Sequence, residues 1–191
     1  GVSLLYDELS PGIDPLGPDN KMVFATGPFT GTRAPGSGFL AVCFKSPLTG
    51  IWGECRCGSD FGRELRRSGY DAMVLEGKAK DPSYLAINDG NVEIKPAAEL
   101  KSKTTSDKEK SIKDELGDEK YMVATIGPSA EKLVRYANIM IGHRAAGRCG
   151  AGTVMASKNL LGLAVKGSRE IQVAHPEEFA SFSREVNKRI R

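Results

Sequence analysis

Histidine, tryptophan and cysteine are scarce, with two, one and four among 191 residues. Four cysteines in a chain of this length are too few for a secreted disulfide scaffold, so reduced thiols in a cytoplasmic setting are expected. With His143 and His175 as the whole histidine supply, any general base would have to be His143. No Ser-His-Asp or Cys-His arrangement emerges around it. Trp52 and the five tyrosines do not interleave with basic residues as a base-stacking platform would. A net charge of +3, from 27 basic and 24 acidic residues, also lacks the one-sided excess of a nucleic-acid binder. No apolar run approaches the roughly 18 residues of a membrane span, and the first residues lack the basic and apolar regions of a signal peptide. Walker and dinucleotide fingerprints are both missing. No partner in nucleic acid or membrane is therefore expected. Composition is otherwise globular, 40% hydrophobic and 27% charged, which excludes a disordered or fibrous chain.

What the sequence does have is glycine. The 22 glycines cluster between residues 27 and 69 and again between 142 and 152. Around them the patterning predicts helices over residues 1–9, 60–68, 101–116, 153–161 and 176–190. Strands are expected over 22–25, 39–45, 72–76, 83–87, 92–95, 121–126, 133–141 and 163–166. Ser59 or Asp60 suits an N-cap and Gly69 a left-handed stop. Asn88-Asp89-Gly90-Asn91 reads as a tight hairpin turn. Pro176-Glu177-Glu178 suits a first helical turn. Strands do not alternate strictly with helices, so the expected class is α+β, a sheet-rich domain with extensive antiparallel sheet and short flanking helices. Ala25-Thr26-Gly27-Pro28 and Ala124-Thr125-Ile126-Gly127-Pro128 hint at an internal duplication. Gly1 opens the chain in what reads as mid-helix, and Lys188-Arg189-Ile190-Arg191 closes it with no stop signal, so a fragment of a longer chain is expected.

The segment with most chemical content is Gly142-His143-Arg144-Ala145-Ala146-Gly147-Arg148-Cys149-Gly150-Ala151-Gly152, just before a predicted helix. Small residues let backbone N–H groups approach an anion, and a helix N-terminus adds positive partial charge. Arg144 and Arg148 can each grip phosphate oxygens in bidentate fashion. The combination favours a phosphate-bearing ligand; the alternative is a tight strand-to-helix turn with surface arginines. A second glycine-rich segment, Thr30-Gly31-Thr32-Arg33-Ala34-Pro35-Gly36-Ser37-Gly38, fits either around a ligand in the same cleft or as a surface loop. His143 reads as a ligand hydrogen-bonding group or a turn residue, His175 as a helix-entry residue. Cys55-x-Cys57, with Cys43 and Cys149 isolated, is poor spacing for zinc or an iron–sulfur cluster, which favour a Cys-x2-Cys pair.

Several segments taken together resemble the amino-terminal domain of the tungsten-containing aldehyde ferredoxin oxidoreductases. They are Asp14-Pro15-Leu16-Gly17-Pro18-Asp19-Asn20-Lys21, Thr26-Gly27-Pro28-Phe29-Thr30-Gly31, Lys45-Ser46-Pro47-Leu48-Thr49-Gly50, Gly69-Tyr70-Asp71-Ala72, Glu76-Gly77-Lys78-Ala79, Ile126-Gly127-Pro128 and the run 142–152. The resemblance covers residues 1–167, with 168–191 left as a connector and the first helix of a following helical domain. It implies two related antiparallel sheets forming a base beneath a tungstopterin, a bis-pterin holding tungsten or molybdenum. It also implies oxidation of aldehydes to carboxylic acids under anaerobic, cytoplasmic conditions, with electrons passing through a [4Fe-4S] cluster to ferredoxin. The cluster ligands and proton-transfer residues would lie in the later helical domains, which leaves these 191 residues catalytically inert alone. A homodimer is compatible with the family.

By the same resemblance, Phe39, Arg56, Gly58, Arg144, Ala145, Gly147 and Arg148 fall at cofactor-contacting positions. The backbone carbonyls of Arg56 and Ala145 would meet a magnesium ion bridging the pterin phosphates. The sequence departs from the family at Phe39, where an arginine is usual, at Arg56, where an asparagine is usual, and at Cys149, in place of a glycine. A non-catalytic anion-binding scaffold that keeps the fold without the cofactor is the alternative reading, and a thiolate metal protein a third.

Overall fold

A computed structural model describes residues 1–190; Arg191, at the end of the segment expected to begin a helical domain, lies outside them. The elements are α1 (Val2–Glu8), β1 (Met22–Ala25), β2 (Phe39–Lys45), β3 (Trp52–Gly58), α2 (Phe61–Arg67), β4 (Ala72–Leu75), β5 (Ser83–Asn88) and β6 (Asn91–Pro96). Next come α3 (Thr105–Leu116), β7 (Met122–Ile126), α4 (Pro128–Glu131), β8 (Ile139–Ile141), β9 (Arg144–Ala146), α5 (Ala151–Ser157), β10 (Leu160–Lys166) and α6 (Pro176–Ile190). No described helix is long and apolar enough to cross a membrane.

Local chemistry accounts for many of the boundaries. Asp89 and Gly90, both at positive φ, close the β5–β6 hairpin as its two-residue turn demands. Thr104 caps α3 by accepting from the Asp107 amide, and Gly117 at φ 67° ends it. The predicted strand 133–141 shrinks to β8, because Leu133 at φ +56° turns the chain and Pro128 starts the short helix α4.

The fold is α+β with two sheets. One has the order β3-β2-β1-β4 and is antiparallel throughout. The other has the order β6-β5-β10-β7-β8-β9 and is mixed rather than antiparallel, because β10 runs parallel to β5. That pair is possible because the long route through α3, β7 and α5 separates the two strands, as a parallel connection requires. The two Gly-Pro runs singled out in the sequence follow β1 and β7, one in each sheet.

Helices α2 and α5 each touch both sheets and fill the space between them, while α3 covers the far side of the mixed sheet. Met22, Phe24 and Leu40 of the first sheet thereby share one core with Phe61 and Leu65 of α2, Val154 and Met155 of α5, and Leu163 and Val165 of β10. Phe24 and Phe61, both without exposed surface, meet at 6.3 Å between ring centroids. Burial of each contributes about 1.5–3 kcal/mol. On the outer face of the first sheet, Leu5 of α1 covers Val23 and Cys43.

This arrangement sets two sheet edges against each other. β3 ends one sheet and β9 the other, and the two strands are in contact. An edge strand leaves a row of backbone N–H and C=O groups unpaired by its own sheet.

Candidate functional site

Between β3 and β9 lies a cleft of about 660 Å³, lined by Glu54, Cys55, Arg56, Ala145, Gly147 and Arg148. Its two walls come from distant parts of the chain: Cys55 and Arg148, in hydrogen-bond contact, are 93 residues apart in sequence. β3 alternates buried Gly53, Cys55 and Cys57 with outward Glu54 and Arg56. Only small side chains fit on the inward side: a Cβ on Gly53 would come within 3.0 Å of Cys149 Cβ.

The opposite wall is a loop held from beneath by its own carbonyls. The Cys55 thiol donates to Arg148 O at 2.8 Å, and the Ser46 hydroxyl donates to Cys149 O at 2.7 Å. Asn138, with its amide nitrogen turned toward them, donates to Gly147 O and Tyr136 O at 3.1 Å each. Three consecutive carbonyls are thus drawn inward. The side chains of Arg144 and Arg148 stay exposed. Cys149 takes up a φ of +61° in this turn, a conformation that costs about 1–2 kcal/mol for a residue with a Cβ.

The charge of the cleft is positive. Arg56, with its side chain 72% exposed, pairs with Glu54 at 2.8 Å, an exposed pair that contributes at most about 1 kcal/mol. Arg144 stands at the start of β9, close enough for its charge to act on the Cys57 thiol. Among the described residues, Glu54 is thus the one carboxylate lining the cleft with Arg56 and Arg148. The thiols add no charge. Burial pushes Cys43 up to about 11 and Cys55 to about 12, and it raises Cys57 as well, with the Arg144 charge opposing.

Arg56, Ala145, Gly147 and Arg148 of the sequence-derived site therefore meet in one cleft. Gly58 closes β3 two residues beyond Arg56, and the exposed Phe39 ring lies over it, 3.6 Å from where a Cβ on Gly58 would stand. Arg144 borders the same strand edge.

Two expectations are corrected. The helix N-terminus after the second glycine cluster does not face the cleft. Gly150, Ala151 and Gly152 are buried, and the Gly152 amide donates to Ala137 O. Gly150 and Gly152 are glycines because the backbone of 135–138 presses on them: a Cβ would lie 2.1 Å from Arg135 O and 2.3 Å from Asn138 O. The first glycine-rich segment does not share the cleft either, since Gly31, Thr32 and Arg33 line a different cavity beside residues 168–184. His143 is exposed, and the His175 carbonyl accepts from Phe179 N at the entry of α6. Among the described residues, no three His, Cys, Asp or Glu side chains are grouped to hold a metal ion.

Sequence reasoning missed Glu54, Ser46 and Asn138. Ser46 carried a signal: it opens the turn Ser46-Pro47-Leu48-Thr49-Gly50, where its hydroxyl also accepts from the Leu48 and Thr49 amides.

The aldehyde ferredoxin oxidoreductase N-terminal domain family matches residues 1–167. The tungsten-containing aldehyde ferredoxin oxidoreductase of Pyrococcus horikoshii is 46% identical over the whole of this chain, and that of Pyrococcus furiosus 48% over 98% of it. The chain spans about a third of their length, 32% and 31%. A solved structure described as the active site complex BamBC of benzoyl coenzyme A reductase with 1,5-dienoyl-CoA superimposes with a TM-score of 0.95. The match is 36% identical and covers 97% of this chain and 28% of that one.

Proposed function

Because this chain belongs to the aldehyde ferredoxin oxidoreductase family, in its amino-terminal domain, we propose that it seats the pterin cofactor of a tungsten enzyme that oxidises aldehydes to carboxylic acids. The observation that carries the reading is the convergence of Arg56, Ala145, Gly147 and Arg148 on the β3–β9 cleft.

The residues present suit a phosphate-bearing pterin. Guanidinium groups at Arg56, Arg144 and Arg148 supply planar, bidentate donors for phosphate oxygens. Two facing sheet edges supply backbone oxygens that no neighbouring strand uses. The carbonyls of Arg56 and Ala145 would hold a magnesium ion, which is hard and takes oxygen ligands. The pinned loop at 147–149 keeps the arginine side chains directed outward with their backbone already fixed, so little ordering remains to be done on binding. Phe39 over Gly58 adds an exposed apolar surface at the end of β3.

When bound, the tungsten pterin would supply the two-electron oxidation of the aldehyde. The contribution of this chain is to bind the cofactor, neutralise its phosphates and fix its position. Electrons would leave through a [4Fe-4S] cluster to ferredoxin, the cluster ligands lying elsewhere in the protein. Residues 168–190 would then supply the connector and the first helix of a following helical domain.

Elemental analysis of the full-length protein, purified without oxygen, tests the reading. About one tungsten, with magnesium and about four iron atoms per chain, is the expected result. Molybdenum in place of tungsten would change the metal and keep the class. Absence of both metals and of pterin would leave a scaffold that has kept the fold and lost the cofactor.

A further inference from the structure

A second and larger cavity, of about 1190 Å³, shares no lining residue with the β3–β9 cleft. It lies between the first glycine-rich loop, the outer face of α2, the connector 168–173 and the start of α6. Five arginines line it, Arg33, Arg63, Arg67, Arg169 and Arg184, against two carboxylates, Glu170 and Glu177. Like charges gathered around a concave space repel one another and concentrate a positive potential there.

Three of the five arginines, Arg63, Arg67 and Arg169, are placed rather than loose. Glu64, with its side chain 7% exposed, accepts from both Arg63 and Arg67 at 3.2 Å, and from the Gly167 amide at 3.1 Å. Arg63 also pairs with the exposed Asp60 at 3.1 Å, yet two five-donor groups on these two carboxylates keep N–H bonds for other acceptors. Arg169 is set against two glycines at positive φ. A Cβ on Gly69 would lie 2.4 Å from its guanidinium, and one on Gly90 3.3 Å away. Its backbone amide donates to Arg67 O, so the two arginines are held side by side. Among the described residues, Arg33, Arg169 and Arg184 have no carboxylate at salt-bridge distance, although Asp89 feels the Arg169 charge. The loop on the far wall is seated too: a Cβ on Gly31 would lie 2.3 Å from Ile171 Cδ1. Beside the arginines, Phe179 contributes an aromatic wall and stacks on Phe29 at 6.3 Å.

We propose that this cavity binds a small polyphosphate-bearing ligand of nucleotide size, its linked phosphates on Arg33, Arg63, Arg67 and Arg169 and its flat portion against Phe179. Arg169, fixed by packing and given no carboxylate, is a pre-organised phosphate donor, and Arg33, Arg63 and Arg67 add charge around it. Several guanidinium groups around one space suit two or more linked phosphates better than a single one. The aromatic wall suits a base ring.

Isothermal titration of the full-length, tungsten-loaded protein with pyrophosphate and with ADP is the test. Arg33→Ala and Arg169→Ala serve as the variants, and their unchanged tungsten content is the control for folding. Saturable binding of either probe, weakened at least about tenfold by each variant and by added salt, is the expected result. ADP binding more tightly than pyrophosphate assigns the Phe179 wall to a base; equal affinities assign the site to the phosphates alone. No binding of either probe, or binding that both variants leave at the original affinity, would overturn the proposal, and the arginines would then be the face of an acidic macromolecule.

Discussion

The Arg148 carbonyl is held by a thiol that burial keeps protonated. A thiol raised to about 12 carries roughly one thiolate in ten thousand at pH 8, and one raised to about 11 roughly one in a thousand. Cys55 is therefore a hydrogen-bond donor to Arg148 O and a poor nucleophile at pH 8. We predict that Cys43 and Cys55 of the native full-length protein resist alkylation at pH 8 and label promptly on unfolding. Modification of either in the folded protein, read by mass spectrometry of its peptides, would contradict the burial described here. At this scale the sequence was partly legible. The residue types at Arg144 and Arg148 pointed to an anion by their own chemistry, whereas Glu54, Ser46 and Asn138 act through partners that only folding brings near.

Among elements, the best read were those whose ends carry their own chemistry. The Asp89-Gly90 turn fixed the hairpin of β5 and β6, and the Pro-Glu-Glu start fixed α6. β3 escaped notice because its buried positions are Gly53, Cys55 and Cys57, small residues that alternate without looking apolar. β9 escaped because its three residues sit inside a glycine cluster. That cluster also carries a correction that can be measured. Gly150 and Gly152 are required by close backbone contact, whereas a methyl group on Gly147 would meet nothing nearer than 3.7 Å. Gly150→Ala, which adds a backbone clash to a positive φ, is expected to lose about 3 kcal/mol or more of stability. Gly147→Ala should stay within about 1 kcal/mol. Equal stability of the two variants in denaturant titrations would mean that Gly150 serves some purpose other than packing.

Over the whole molecule, the site exists because two sheets are stacked through α2 and α5 with one edge of each brought together. The class, α+β, was readable from the order of strands and helices, and the two sheets from the resemblance alone. The parallel pairing of β5 with β10 was not, because strand order depends on contacts between residues far apart in the chain. The meeting of β3 with β9 was hidden for the same reason, and so was the separation of the two glycine-rich segments into different cavities. The resemblance at residues 14–21, 26–31, 45–50 and 142–152 supplied what periodicity lacked, by joining segments that no local pattern connects. The measurement that tests the central claim most directly is the tungsten and pterin content of full-length protein carrying Arg144→Ala and Arg148→Ala together. Arg33→Ala, at the other cavity, is the comparison. Loss of most tungsten and pterin from the double variant, with wild-type content in Arg33→Ala, is the predicted result. A double variant as fully loaded as the wild type would contradict the assignment of the β3–β9 cleft to the cofactor.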